Sequence, residues 1–283
     1  MIFIQKPGKE TYDDESSWRP ITLTTYLFKA LERIQLWHAQ INFLANHPIV
    51  DYQYAFLKGK STEAAISRVV DKIESALNRN RTAIGVFLDI QGAFDNMDHD
   101  SIIRHLKHRG FDNQFIDWYN QYLRDRLVVV DLAGFTISRR IARGTPQGGI
   151  LSPIIWNIVF DSCLKRLSVL AFTTGFADDG CIIVTGSDTS ICRDIAQRAL
   201  DMAISWGSEN GLTFSKKKTI VIHFNKTGAQ NPKPLTLADR RLPFENETKY
   251  LGVIISHNLD WTSHIKYICM KTKALLFSAI SDK

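Results

Sequence analysis

Three aspartates carry the most specific chemistry on offer in this sequence. Asp178 and Asp179 stand side by side in "GFADDGCII", residues 175–183, between apolar runs suited to burial. Adjacent carboxylates repel, and one of such a pair has its pKa raised unless a cation or strong donors compensate. The stretch therefore asks for a cation. Asp89 sits near the end of a second apolar run, "AIGVFLDI", residues 83–90. If the two runs meet in an antiparallel sheet, a strand end and a hairpin tip bring all three carboxylates to one sheet edge. That is an all-oxygen donor set, suited to a hard divalent cation such as Mg²⁺. Mg²⁺ keeps waters and substrate phosphate oxygens in its shell, so two or three protein carboxylates suffice. Two such ions about 3.5–4 Å apart activate an attacking hydroxyl and stabilise a leaving phosphate. The competing reading, that the aspartates only cap turns, suits Asp178 alone better than it suits the pair together with Asp89.

The elements that would position these groups follow from periodicity. "MIFIQKPGKE" opens as a strand closed by a Lys-Pro-Gly turn. Ser61 is a plausible N-cap for a helix with Ile66, Val69, Val70, Ile73 and Leu77 at helical spacing. Residues 83–90 form a continuous β-branched run, expected as a central strand buried on both faces. Two short helices are predicted at about 100–109, stopped by Gly110, and at about 113–124. "LVVVDLAGFTISRRI" reads as a hairpin turning at Ala133-Gly134. A glycine-proline loop leads to a helix starting near Pro153, then to the strand pair around Asp178-Asp179. A helix over 188–210, the strand "TIVIHF", a hairpin at about 235–243, the strand "KYLGVIIS" and a helix from about Trp261 complete the chain. Strands and helices without strict alternation predict an α+β sheet with helices on one face.

With 283 residues and 45% hydrophobic content, the chain is long enough for one large domain or for two to three lobes sharing a cleft. Lys and Arg number 35 against 29 Asp and Glu, a net charge of +6 that leans mildly toward polyanions. Local clusters raise those odds: Arg104/Lys107/Arg109, Arg139/Arg140, Lys216 to Lys218, and Arg240/Arg241. Cys163, Cys181, Cys192 and Cys269 are too far apart for a zinc knuckle and too few for a disulfide framework. No stretch reaches the ~18 apolar residues of a membrane helix, and the start lacks a signal-peptide pattern. The expectation is a soluble, intracellular protein without a membrane partner.

Several stretches imitate other sites and fail on spacing. "DNMDHD", 95–100, misses the alternate-residue spacing of a calcium loop and reads better as helix N-capping. "GKS", 59–61, has Tyr54 where a phosphate-binding loop needs its first glycine, and "GTPQGGIL" has Ile150 where the lysine should stand. No histidine pair shows the spacing of a zinc hydrolase.

The ordered blocks "RPITL", "GAFDNMDH", "GTPQGGILSPIIWN", "FADD", "GLTFSKKKT" and "KYLGV…LDWTSHI" resemble the reverse transcriptase domain of non-LTR, LINE-like retrotransposons, particularly jockey-type elements. The resemblance covers nearly the whole chain, and six blocks in order are far more specific than "ADD" alone. It implies an α+β right-hand polymerase with fingers and palm, the palm an antiparallel sheet backed by helices, and a truncated thumb. Residues 1–80 would be fingers and 81–110 the first part of the palm. Residues 111–145 would form a connection with a hairpin, 146–256 the palm with its metal-binding hairpin and primer grip, and 257–283 the start of the thumb. The activity implied is RNA-directed DNA polymerisation with two Mg²⁺, or Mn²⁺ in their place, on an RNA template, a DNA primer and dNTPs; which proteins it partners is left open.

Residue by residue, the family pattern places the metals on Asp89, Asp178 and Asp179. It places Phe94 under the sugar of the incoming nucleotide, where a 2′-hydroxyl would collide with the ring. Gln147 and Gly148 fall in the block lining the nucleotide and template pocket, and Lys6 and Arg19 at the triphosphate clamp. Lys218 matches the lysine that protonates leaving pyrophosphate, and Tyr250, Leu251 and Gly252 match the primer-grip turn. Phe176 departs from the tyrosine more usual before "ADD"; it keeps the ring and loses a hydroxyl. The chain reads as a fragment of a longer polypeptide. Two rivals stay open: a reverse transcriptase of the group II intron maturase lineage, and a catalytically inactive nucleic-acid-binding remnant.

Overall fold

The computed structural model describes residues 1–8, 11–124, 126–132, 134–226 and 230–281. Strands β1 (Ile2–Gln5) and β2 (Trp18–Ile21) pair antiparallel. Helix α1 (Tyr26–Ala39) continues through a π-helical turn at Gln40–Leu44. Helix α2 (Thr62–Asn78) starts at Ser61, whose hydroxyl accepts the Ala64 N–H, so the N-cap chemistry holds. β3 (Thr82–Leu88) follows with every residue buried. The helices α3 (Ala93–Asn96), α4 (His99–His108) and α5 (Asn113–Arg124) come next. Asp98 caps α4 by accepting the Ser101 N–H at 2.9 Å, so "DNMDHD" is a helix start. β4 (Leu127–Leu132) and β5 (Phe135–Arg140) form the expected hairpin; of its turn, Ala133 lies outside the described residues.

The second half contains α6 (Ser152–Ser168), β6 (Phe172–Phe176), β7 (Asp179–Gly186), α7 (Thr189–Glu209) and β8 (Ile220–Phe224). It continues with β9 (Leu235–Leu237), β10 (Arg240–Leu242) and β11 (Phe244–Glu245). The chain closes with β12 (Glu247–Tyr250), β13 (Val253–Ser256) and α8 (Thr262–Ser281). The central sheet runs β11-β8-β3-β7-β6 and is antiparallel except for the β11–β8 pair.

Helices do not cover one face only, as the α+β pattern alone suggested. Along β3, Ile84, Val86 and Leu88 enter a core shared with α4 to α7, while Ala83 and Phe87 enter a second core with α2 and the β12–β13 hairpin. The reason is in the strand itself: it is apolar on both sides, and either face left wet would forfeit about 25 cal/mol per Å². "KYLGVIIS" is likewise not one strand. β12 and β13 fold back on each other through Leu251 (φ 48°) and Gly252 (φ 90°), a two-residue turn with both angles positive, as the right-handed twist of a hairpin favours.

Asp161 of α6 pins the upstream loop to this core. Its buried carboxylate accepts the Val50 N–H at 2.8 Å and pairs with the buried Arg109 guanidinium of α4 and with Lys165. Arg109 also donates to the His47 carbonyl at 2.7 Å. Removing one partner of a buried pair leaves an uncompensated charge. Arg109→Ala should therefore cost about 3 kcal/mol, the low end of the usual range because Lys165 remains; a denaturant midpoint unchanged from wild type would contradict this.

Candidate active site

The pairing of β3 with β7 gathers the acidic groups. Their register sets Leu88 opposite Gly180, so the next step along each chain places Asp89 against Asp179. By strand alternation Asp89 and Asp179 lie on the same face as Phe87 and Cys181, the face closed by Tyr250. Asp178 occupies the turn between β6 and β7, which close on each other with Phe176 opposite Asp179. That turn is made by Ala177, a non-glycine residue at φ 54°. A left-handed alanine costs about 1–2 kcal/mol, and the neighbours hold it there. The Trp156 indole N–H donates to the Ala177 carbonyl at 2.8 Å, and the buried Gln53 amide donates to the same oxygen at 3.5 Å. Gln53 is fixed in turn: its side-chain oxygen accepts the N–H groups of Tyr54 and Ala55, and the backbone at 52–54 exchanges hydrogen bonds with Gly175.

Lys218 reaches this cluster through a second clasp. Gln91 N–H donates to Thr213 O and Ser215 N–H to Asp89 O, zipping residues 213–215 onto the end of β3. The Lys218 ammonium then stands 3.4 and 3.5 Å from the two Asp89 oxygens. Burial raises the Asp178 carboxyl above its ordinary range; Asp89 adds to this, while Lys218 and Arg19 oppose it. Burial likewise pushes Asp179 up to about 7, with Asp178 and Asp89 adding repulsion and Lys218 opposing. The three acids thus feel one another, with too little positive charge between them to hold both members of the pair in the ordinary carboxylate range. Among the described residues, no three His, Cys, Asp or Glu side chains already stand as a metal cage. The donor chemistry nevertheless fits a hard divalent cation: oxygen ligands only, mutual repulsion, and an exposed lysine as the nearest counter-charge.

Beside the acids lies a loop, residues 144–151, locked onto α3. Gly144 N–H donates to Met97 O and Thr145 N–H to Phe94 O, both at 2.7 Å. Any side chain at Gly144, with φ 74°, would strike the Asp95 carbonyl. The Gln147 amide donates to the Asp95 carboxylate at 3.1 Å. Gly148, at φ 98°, passes close to Thr22 at the end of β2. Phe94 is half-buried, tilted against Trp156 with centroids 5.8 Å apart and meeting Phe56 edge-on at 6.4 Å.

The remaining expected residues fall at different distances from this centre. Arg19 is exposed on β2 and bears electrostatically on Asp178; Lys6, just after β1, bears on Asp95. Tyr250 is buried: its hydroxyl meets Thr174 Oγ1 at 3.3 Å and its ring packs on Phe87 at 5.3 Å. Its side chain belongs to the core and Leu251 is half-buried against it, so of that trio only Gly252 is exposed. Sequence reasoning missed Gln53, Trp156, Asp95 and Glu32, which shape the site without carrying its chemistry. Only Glu32 left a signal, a carboxylate inside the helical stripe Phe28, Glu32, Leu36, Ala39.

A family model described as "Reverse transcriptase (RNA-dependent DNA polymerase)" matches residues 4–255. The Pol polyprotein of type-1 retrotransposable element R1 from Bradysia coprophila is 29% identical over 98% of this chain and 27% of its own length. The RNA-directed DNA polymerase of mobile element jockey from Drosophila melanogaster is 27% identical over 95% of this chain and 30% of its own length. The chain thus spans less than a third of these curated relatives. A solved telomerase from Candida tropicalis, in complex with the TWJ fragment of telomeric RNA, superposes with a TM-score of 0.54 at 13% identity. The match covers 82% of this chain and 36% of that one, and speaks for the fold alone.

The repulsion within the acidic cluster has a measurable cost. Asp179 holds its proton to about 7 in the fold but only to about 3.8 when unfolded, so it carries no penalty at low pH and the fold loses stability as pH rises from 3.8 through 7. In metal-free protein, Asp179→Asn should leave the melting temperature nearly unchanged at about pH 4 and raise it by about 2–4 °C at about pH 8. An equal effect at both pH values would contradict the assignment.

Proposed function

This chain belongs to the reverse transcriptase (RNA-dependent DNA polymerase) family, and from that premise we propose that it adds dNTPs to the 3′-hydroxyl of a DNA primer on an RNA template. It would be the polymerase portion of a longer non-LTR retrotransposon protein. The observation that carries this reading is the convergence of Asp89, Asp178 and Asp179 through the β3–β7 register and the β6–β7 turn. No helix among the described residues is long and apolar enough to cross a membrane.

Asp89, Asp178 and Asp179 would hold two Mg²⁺, or Mn²⁺ in their place. When bound, these ions activate the primer hydroxyl and neutralise charge on the transferring phosphate. Each residue of the chain then has a physical task. Lys218, beside the Asp89 oxygens, would donate a proton to pyrophosphate as it leaves. Arg19 and Lys6 approach from β2 and the end of β1 to take the triphosphate, Arg19 with a fork suited to two phosphate oxygens. Phe94, braced by Trp156 and Phe56, presents its ring to the sugar. Gln147, its amide turned toward Asp95, and Gly148, lacking a side chain, line the base pocket. The Leu251-Gly252 turn supports the primer, with Tyr250 as its buried anchor. The central sheet with the later helices α4, α6 and α7 would serve as palm, residues 1–80 as the N-terminal part of the fingers, with their helix α2 packed on the other face of the sheet, and residues 257–283 as the start of the thumb. Phosphate contacts dominate binding, which is therefore largely sequence-neutral and falls with salt.

Primer extension on poly(A)/oligo(dT) with Mg²⁺ tests the reading. Wild-type chain should incorporate dTTP, and Asp178→Asn should lower incorporation by about 100-fold or more. Duplex binding without incorporation at any protein concentration would point instead to a nucleic-acid-binding remnant. Phe94→Val should raise rNTP use relative to dNTP by about tenfold or more; unchanged discrimination would remove Phe94 from the sugar site.

A further inference from the structure

Glu32 stands midway along α1 with none of its surface exposed. One carboxylate oxygen accepts the Ile150 N–H at 3.3 Å and the other the Tyr122 hydroxyl at 3.4 Å. The Leu151 N–H donates to the same carboxylate. Burial raises this carboxyl above its ordinary range, and the two backbone N–H groups, which stabilise the anion, offset only part of that rise.

The acceptor answers a defect at the start of α6. The residue at its N-cap is Leu151, and no side chain of the local sequence caps the helix. A helix start leaves four N–H groups without intrahelical partners, and its dipole favours a negative charge there. Glu32, 118 residues from Ile150, accepts from Ile150 just before the helix and from the N-cap Leu151, and so brings a carboxylate to that end of α6. The loop it secures is the one that carries Gln147 and Gly148. On the other side of that loop, Thr22 N–H donates to the Gln147 carbonyl at 2.8 Å. A side chain at Gly148 would come within 3.1 Å of Thr22 O, and one at Gly149 within 3.1 Å of Glu32 Oε1. The turn at Gln147 to Gly149 is therefore held between β2 on one side and Glu32 on the other, with Ser152 Oγ bonding back to Pro146 O at 2.8 Å.

We propose that Glu32 is a positioning residue for the incoming nucleotide: by accepting the N–H groups of Ile150 and Leu151 it sets the height of the Gln147–Gly148 turn above the site. It touches neither substrate nor metal and acts only through that loop. The inference rests on the assignment of Gln147 and Gly148 to the nucleotide pocket.

Two variants and two readouts test it. Glu32→Leu removes both acceptors at similar volume, whereas Glu32→Gln can keep an oxygen toward Ile150 while losing the charge. Hydrogen exchange at the Ile150 and Leu151 amides should quicken by about tenfold or more in Glu32→Leu and less in Glu32→Gln. In primer extension, the KM for dNTP should rise about fivefold or more in Glu32→Leu with kcat within about twofold, and Glu32→Gln should recover most of that loss. If Glu32→Leu does not fold, the Glu32→Gln comparison with wild type decides. Unchanged amide protection overturns the proposal, as does an unchanged KM accompanied only by lower thermal stability. Failure of the wild-type chain to extend a primer would count against the polymerase reading, and amide exchange would then decide whether Glu32 holds the loop.

Discussion

The antiparallel register between β3 and β7 is the constraint on which the site depends. It sets Leu88 opposite Gly180 and so brings Asp89 alongside Asp179, joining parts of the chain far apart in sequence. A slip of one residue would turn every side chain to the opposite face. Such a slip is opposed from both sides, because Ile84, Val86 and Leu88 fill one core while Ala83 and Phe87 fill the other. A sheet buried on both faces therefore does more than stabilise the fold. It fixes the position of two like charges to within the pleat of a strand.

Those charges are held against their own preference. Burial and mutual repulsion raise Asp178 and Asp179, and the turn that presents them strains a left-handed Ala177. Trp156 and Gln53 bind the Ala177 carbonyl, and Asp161 with Arg109 anchors the loop that delivers Gln53. Strain and like-charge crowding concentrated at one point, with well-bonded neighbours on every side, is the pattern expected where a fold gives up stability for chemistry. Lys218 offsets part of the repulsion and leaves room for a cation to supply the rest.

Much of this was legible from residue order. The buried run ending at Asp89, the Ser61 cap and the strand pair at Asp178-Asp179 follow from local pattern, because alternation and capping are local physics. What escaped depends on partners distant in sequence. "KYLGVIIS" reads as one strand because Gly252 alone signals the turn, while Leu251 accepts a positive φ that its residue type does not announce. Helix α1 was not read from the sequence at all. Leu27, Ile34, Trp37 and Ile41 recur at helical spacing and are exposed, whereas Glu32 is turned inward. Apolar residues thus recur on both faces, Phe28, Leu36 and Ala39 beside Glu32 and the exposed four opposite, so periodicity alone does not say which face is buried. The inward glutamate makes sense only once α6 is seen to begin without a cap of its own.

The central claim, that Asp89, Asp178 and Asp179 form a single cation site, is most directly tested by paramagnetic broadening of backbone amide signals as Mn²⁺ is added to the wild-type chain. The signals of residues 89–90, 177–180 and 218 should broaden first and together, and excess Mg²⁺ should restore them. Broadening spread over unrelated surface carboxylates, or none at this cluster, would contradict the account.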